Sequence, residues 1–429
     1  MQSKPRLPHI MKNACREPLV WANTRQAALS QLEAFIPSAA RYAQARNHVL
    51  LDHNNVSRLS PAIRHRLLLE SECAAAPLRE YPARSVEKFT QEIYWRRYWK
   101  AWLSLRPTVW TDYRKQLSAM QSDPIFAAQR AHAARCLAGD SAIAIMNHFA
   151  RELVESGYLH NHARLWFAGW WIHIEQLPWQ LGADFFFRHL LDADPASNTL
   201  SWRWVAGLHT PGKFYLPRRH NLEKYLSPNV LASHNNGLNL LENPQPLVPC
   251  TLTSATITRP TLPPSPPIKA GRLGIWLHEE DLLVEKGPLA TVHPCALLAT
   301  ADSTSRNHFQ YPKHKCAWLR TALHDAAQRA SSAFGITPDI ETDLSITEAI
   351  LLWAKTQQLT QIAAMRPEIG PLNDQVHTLQ SALDQVGIAL IFFDRPEDLA
   401  LRPLATGGFF SFWEKIQKSG LCPSTPEAS

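Results

Sequence analysis

The 429-residue sequence has no apolar run long enough to cross a membrane. Its first residues, Met1 to Arg16, are basic but lack the apolar segment of a secretory signal. A cytoplasmic protein is the expectation. Seven cysteines stand at positions 15, 73, 136, 250, 295, 316 and 422, and no two have the C-x-x-C spacing. An odd, scattered set argues against a disulfide framework and against structural zinc, so no metal is expected. The phosphate-binding patterns G-x-G-x-x-G and G-x-x-x-x-G-K-[ST] are also missing, which removes the commonest nucleotide-binding readings. No internal repeat is present.

What is present is an ordinary globular composition, 45% hydrophobic and 19% charged, in a chain long enough for two domains with proper cores. The net charge of +7 is uneven. Residues 1–250 carry 29 Lys and Arg against 19 Asp and Glu, while the remainder carries 15 against 18. A basic first part can meet a polyanion such as nucleic acid, although many soluble domains are mildly basic. Of the 15 tryptophans, 11 lie in the first 250 residues. Most should be core, but the density permits stacking on bases or on a ring cofactor.

Proline divides the chain. Residues 243–268 hold Asn243-Pro-Gln-Pro-Leu-Val-Pro and Leu262-Pro-Pro-Ser-Pro-Pro, which read as an extended linker. Residues 1–242 are expected to be helical, with apolar residues three and four apart near 62–73, 85–104, 141–156 and 160–175. Residues 269–429 alternate buried strands, at 272–277, 295–300 and 388–393, with helices near 316–334, 346–358 and 371–386. The fold class expected is a mainly α N-terminal domain plus a smaller, Rossmann-like α/β C-terminal domain with a mostly parallel sheet.

Four segments before the linker carry candidate chemistry. Arg41-Tyr-Ala-Gln-Ala-Arg-Asn is followed by Val56-Ser-Arg-Leu-Ser-Pro. There Ser60 and Pro61 suggest a capped helix start suited to a phosphate, a weak signal alone. On a helix, Glu92, Trp95, Arg96 and Trp99 share one face. That is either a base-binding surface or an ion pair beside core aromatics. His160-Asn-His162 diverges on a helix and lacks an acidic or cysteine partner nearby, which disfavours a metal. Asp192-Ala-Asp194-Pro195 is a helix N-cap signal, with two acids able to accept hydrogen bonds from a ring N–H or a sugar.

In this order, from about Tyr42 to Tyr225, the segments resemble the photolyase/cryptochrome family. Tyr42 to Asn47 is similar to its Y-x-x-x-R-[DN] pattern. Val56 to Pro61 resembles T-S-x-L-S-P, Glu92 to Tyr98 resembles E-L-x-W-R-x-[FY], Gly157 to Leu165 resembles G-W-x-H-N-x-x-R-M, and Asp192 to Trp204 resembles D-G-D-x-A-S-N-x-x-x-W-x-W. The resemblance implies FAD held by Tyr42, Ser57, Arg58, Leu59, Ser60, Phe89, Asn161, Arg164, Asp192, Asp194 and Asn198. It implies electron transfer through Trp202 and Trp179, with the outer member open among Phe126, Trp170, Trp171 and Trp110. Glu92, Trp95, Asn161, Asn198 and Trp204 would serve repair of a flipped pyrimidine dimer, the first three and Trp204 by holding it. Arg46, Arg96, Lys213, Arg218 and Arg219 would contact DNA phosphates. Light-driven, FAD-dependent repair of DNA is thus one expectation. A blue-light photoreceptor that binds FAD, repairs nothing and signals to a protein partner is the other. Tyr158, Leu165, Val56 and Ala193 depart from the family pattern. The family's α/β antenna domain ordinarily comes first. Here Leu273 to Leu282 and Arg366 to Asp374 faintly resemble it, so residues 269–429 are either a permuted antenna domain or an unrelated α/β domain. Glu279 and Glu280 replace paired arginines, and the antenna pigment is left open.

Overall fold

The computed structural model describes residues 20–210, 212–248, 255–258 and 267–423. The reading of Met1 to Arg16 lies outside them, as does most of the proline-rich stretch. Helices fill the first half and one parallel sheet organises the second, which is the fold class expected.

The helical half is built around the 22-residue helix Ala83–Ser104. Its buried residues, among them Val86, Phe89, Ile93, Tyr98 and Trp102, lie on more than one side, as expected of a helix with neighbours all around. Helices Tyr42–Ala45, Pro195–Val205 and Phe409–Lys418 pack on it. Pro195–Val205 starts where the sequence says. Asp194 accepts the Ser197 N–H at 2.7 Å, and Pro195 takes the first position, where no backbone donor is needed. Two other starts differ. Ser60 is the first residue of the short helix Ser60–Arg64, flanked by Leu59, and does not cap it. The helix expected at 141 begins at Ala144. Ser141 instead orders the preceding turn, donating to Asn147 Oδ1 at 2.7 Å and accepting the Ile143 N–H at 3.3 Å. The helix Asn161–Gly169 runs into a turn of π-helix, Trp170–Ile174.

The sheet has strands β1 (Leu273–His278), β2 (Ala296–Thr300), β3 (Asp339–Glu341), β4 (Gln361–Met365) and β5 (Ala389–Phe393), in the order β3-β2-β1-β4-β5. All neighbours are parallel, with Ile275 opposite Leu297 and Ala363 opposite Ile391. β3 and β4 are not legible in the sequence. β4 is Gln-Ile-Ala-Ala-Met, with one β-branched residue, and its buried central position makes it a strand. β3 is a three-residue edge strand whose Asp339 and Glu341 discourage further pairing.

Strand alternation divides the sheet between two cores. Ile275, Leu277, Leu297, Ala299 and Ala363 join the large core shared with the helical half. Trp276, Leu298, Ile362, Leu390 and Phe392 form a second core under helices Ile346–Thr356 and Pro371–Gln385. The described linker residues lie against the helical half, through Thr258 N–H to the Leu105 carbonyl at 2.8 Å and Leu247 N–H to His173 Nδ1 at 3.1 Å.

Buried ion pairs join the two halves. Arg64 meets Glu280 at 2.5 and 2.8 Å. Arg66 meets Asp281 at 2.9 Å and Asp398 at 2.7 Å, and Arg97 also pairs with Asp398. Glu279 pairs with Arg306 within the sheet half itself. Part of the basic excess of the first half is therefore matched inside the molecule by acids of the second.

Candidate functional site

A cavity of about 500 Å³ opens in the helical half. Four segments far apart in sequence meet there because the helices Ala83–Ser104, Asn161–Gly169 and Pro195–Val205 converge. Its lining includes every residue expected at the cofactor, namely Tyr42, Ser57, Arg58, Leu59, Ser60, Phe89, Asn161, Arg164, Asp192, Asp194 and Asn198. It also includes Glu92, Trp95, Trp202, Trp204, Arg46 and Arg96. Trp179, Lys213, Arg218 and Arg219 are not among the lining residues.

The loop before Ser60 turns sharply. Arg58 has a φ of 55°, in the left-handed region that side chains seldom adopt, and Gln31 donates to the Ser57 carbonyl at 2.6 Å. On the opposite wall, Gly157 ends the helix Ala144–Ser156 with a φ of 69°, and its carbonyl accepts the Leu191 N–H at 2.8 Å. That bond sets the turn carrying both acids. Asp192 Oδ2 accepts from Arg164 at 2.9 Å, while Arg164 also donates to the Leu159 carbonyl at 2.7 Å. Burial is the largest single influence and would raise the Asp192 carboxyl, but Arg164, helped by Arg96 and Ser60, leaves it below its ordinary value. Asp194 is 1% exposed. Burial opposes its charge too, yet Lys100, Arg64 and Arg96, at 3.7, 3.8 and 3.9 Å, hold it well below the usual carboxylate range.

Asn198 donates its amide to the Ala183 carbonyl at 2.8 Å, which fixes its orientation. Trp202 lies over Gly182, where a Cβ would come within 2.3 Å of the indole. Only glycine permits that approach. Glu92 is held by Arg46 and Lys88, each 3.0 Å from Oε1, so Arg46 serves Glu92 as much as any outside phosphate. Arg219 pairs with Glu223 and Glu242, both at 2.8 Å. Its charge is already matched, whereas Lys213 and Arg218 are exposed.

Reading the sequence left His160 without a role and did not single out Tyr113 or Phe410. His160 is buried, lines the cavity, and is kept neutral chiefly by burial, with its pKa pushed down to about 3. Its Nδ1 accepts the His162 N–H at 3.1 Å, so the ring proton sits on Nε2. Tyr113 stacks on Trp179 at 5.2 Å and contacts Trp110 at 5.6 Å, which makes a buried ring series extending from Trp179. Phe126 lies in the turn Pro124–Phe126, outside those stacks. Phe410, from the far end of the chain, reaches the cavity rim. Its sequence neighbours carry no motif, so only the topology brings it there. Away from the cavity, His132, Cys136 and Glu175 lie within 4.8 Å of one another. Both Glu175 oxygens are engaged, by His132 at 2.8 Å and by the Trp170 indole at 2.9 Å.

Several buried polar atoms on cavity-lining residues make no hydrogen bond within the protein: Ser197 Oγ, Trp202 Nε1, His160 Nε2, and Asp194 Oδ2 and Arg96 Nη1, whose ion-pair distances are too long for one. Buried polar atoms are nearly always hydrogen-bonded. A large, flat, polar-edged group with an anionic tail fits this mixture of donors, acceptors and aromatic walls. Residues 89–225 match the FAD binding domain of DNA photolyase. Over this stretch the chain is similar to the photolyase/cryptochrome family. FAD is accordingly its cofactor. Among the relatives, a deoxyribodipyrimidine photo-lyase from Streptomyces griseus is 32% identical over 155 residues, covering 36% of this chain and 32% of that protein. A cryptochrome DASH from Idiomarina loihiensis is 29% identical over 206 residues, covering 46% of this chain and 44% of that protein. The chain thus matches less than half of each relative's length. A bacterial class III photolyase structure from Agrobacterium tumefaciens aligns over 48% of this chain and 43% of that one, with a TM-score of 0.39 and 24% identity. No described helix is long and apolar enough to cross a membrane.

Proposed function

We propose that the cavity binds FAD and that the chain uses light to repair pyrimidine dimers in DNA. The bound cofactor supplies light-excited electron chemistry. The rest falls to the side chains. Tyr42, Ser57, Arg58, Leu59, Ser60 and Phe89 form the wall for the phosphates and ribityl chain. Arg164, Asp192 and Asp194 would hold the ring system, and Asn198, its amide oriented by the Ala183 carbonyl, would tune it. The observation that carries the reading is the meeting of this anchored set with Glu92, Trp95, Asn161 and Trp204 in one cavity. A carboxylate and large aromatic faces suit an extruded, poorly stacked base pair. Trp202 and Trp179 are assigned to electron transfer, with Tyr113 and Trp110 continuing the ring series from Trp179. Lys213 and Arg218 supply exposed phosphate contacts, and Arg96 acts from inside the cavity.

Residues 1–242 form the flavin domain in this reading, and 269–429 an antenna-type domain carried at the other end of the chain. Its support is a parallel sheet whose β1 leads directly into the acids that meet Arg64 and Arg66.

The test is an absorption spectrum of the purified protein, followed under blue light with a thiol and dimer-containing single-stranded DNA. A flavin band with loss of dimers supports repair. A flavin band that photoreduces while dimers persist favours the photoreceptor, and no flavin uptake overturns both. Within the repair reading, Glu92→Gln should slow dimer loss while flavin uptake persists; unchanged repair removes Glu92 from the mechanism.

A further inference from the structure

The cavity rim is completed by the end of the chain. The helix Phe409–Lys418 begins more than 300 residues after Trp95 and lies beyond the stretch that matches the flavin domain. Phe409 is buried and stacks on Trp95 with ring centres 3.9 Å apart and planes 9° from parallel. The turn before it is firmly held. Tyr98 donates to the Gly407 carbonyl at 2.9 Å, Arg106 donates to the carbonyls of Ala405 and Thr406 at 3.2 and 2.8 Å, and Lys415 reaches Thr406 Oγ1 at 3.1 Å.

The next residue, Phe410, is 69% exposed. Its ring stands at 73° to Phe409, 5.6 Å away, and borders the cavity together with Trp95, Trp204, Asn161 and Arg46. An aromatic ring left in water forgoes the gain of burial. Here it is held beside a hydrogen-bonded turn, at the mouth of a cavity whose lining includes Arg46 and Arg96.

We propose that Phe410 stacks on a nucleobase of the DNA strand beside the base pair drawn into the cavity. The inference rests on the DNA reading above and adds to it a residue from outside the flavin domain. A ring at the rim can fill the gap that an extruded base leaves in the stack, whatever the neighbouring base, because every base offers a flat face. Phe409 takes the positioning part: stacked on Trp95, it sets the helix start from which Phe410 projects.

The experiment uses full-length protein loaded with FAD, compared at equal flavin content. Phe410→Ala and Phe410→Trp are titrated against a fluorescein-labelled single-stranded oligonucleotide with one thymine dimer and against its undamaged twin, read by anisotropy over a range of salt. Loss of one stacked base predicts binding of the dimer oligonucleotide about tenfold weaker in Phe410→Ala, with Phe410→Trp at or above wild type. The slope of log affinity against log salt should not change, because phosphate contacts are untouched. Dimer binding by Phe410→Ala within twofold of wild type overturns the assignment while leaving the DNA reading intact. A changed salt slope also overturns it, since the ring would then act through phosphate contacts. Wild-type protein that does not prefer the dimer oligonucleotide removes the DNA reading and this inference together.

Discussion

Glu280→Gln tests how far the flavin cavity depends on the sheet half. Arg64 and Glu280 are 4% and 12% exposed and meet through two bonds, at 2.5 and 2.8 Å. Arg64 also donates to the Ala193 carbonyl at 3.0 Å, between the two acids of the cavity, and lies 3.8 Å from Asp194. Burial is the largest single influence and opposes the charge on Glu280, but Arg64, with Lys100, leaves its carboxyl below the ordinary value. Glutamine keeps the size but turns an N–H₂ toward the guanidinium, so one bond is lost and a buried cation loses its partner. Removing one member of a buried pair typically costs 3–5 kcal/mol. Arg64 keeps its Ala193 bond and the attraction of Asp194, so a loss near the low end, about 3 kcal/mol, is expected. Urea unfolding should show a lower midpoint with an unchanged slope. The turn from Asp192 to Asp194 loses an anchor, and FAD binding by calorimetry should weaken about tenfold, equivalent to about 1.4 kcal/mol. Stability within about 0.5 kcal/mol of wild type, the range of ordinary surface changes, together with unchanged FAD affinity, would refute the reasoning.

Gly182→Ala places a Cβ 2.3 Å from the Trp202 ring. The gain in helix propensity, about 1 kcal/mol, should be exceeded by overpacking of about 1–3 kcal/mol, giving a lower Tm; a raised Tm would show that the indole can move aside. Tyr113→Phe should slow photoreduction of the bound flavin severalfold while FAD uptake is unaltered, and an unchanged rate would remove Tyr113 from the path. His65 is held neutral mainly by burial and by neighbouring Arg64, its pKa pushed down to about 3, and its Nδ1 lies 2.6 Å from the Glu279 carbonyl. The unfolded chain therefore takes up the proton first. The stabilisation is full above pH 6.5 and falls as pH drops toward 3, with about 1.4 kcal/mol lost by pH 5.5. Urea titrations at pH 7.5 and 5.5 should show a smaller loss by about that amount in His65→Asn, which keeps a donor.

Local pattern was enough for much of this molecule. Asp194 before Pro195 marks a helix start because a capping carboxylate and a proline at the first position act within four residues. The strands β1, β2 and β5 show as short apolar runs, and the helices at 313–334, 346–356 and 371–385 show by period. The spaced motifs also named residues that line the cavity, since these lie on local turns and single helix faces.

Other features came only from the tertiary structure. β4 is alanine-rich and becomes a strand because it lies between β1 and β5. Glu279 and Glu280 read as departures from a pattern; the fold of the sheet half shows the Arg306 that Glu279 meets, and only the docked halves show the Arg64 that Glu280 meets. Tyr113 beside Trp179, and Phe409 on Trp95, join residues 66 and 314 positions apart. Helix caps and periods are decided by neighbours along the chain. Ion pairing, ring stacking and the rim of a cavity are decided by which surfaces meet, and no local spacing encodes that.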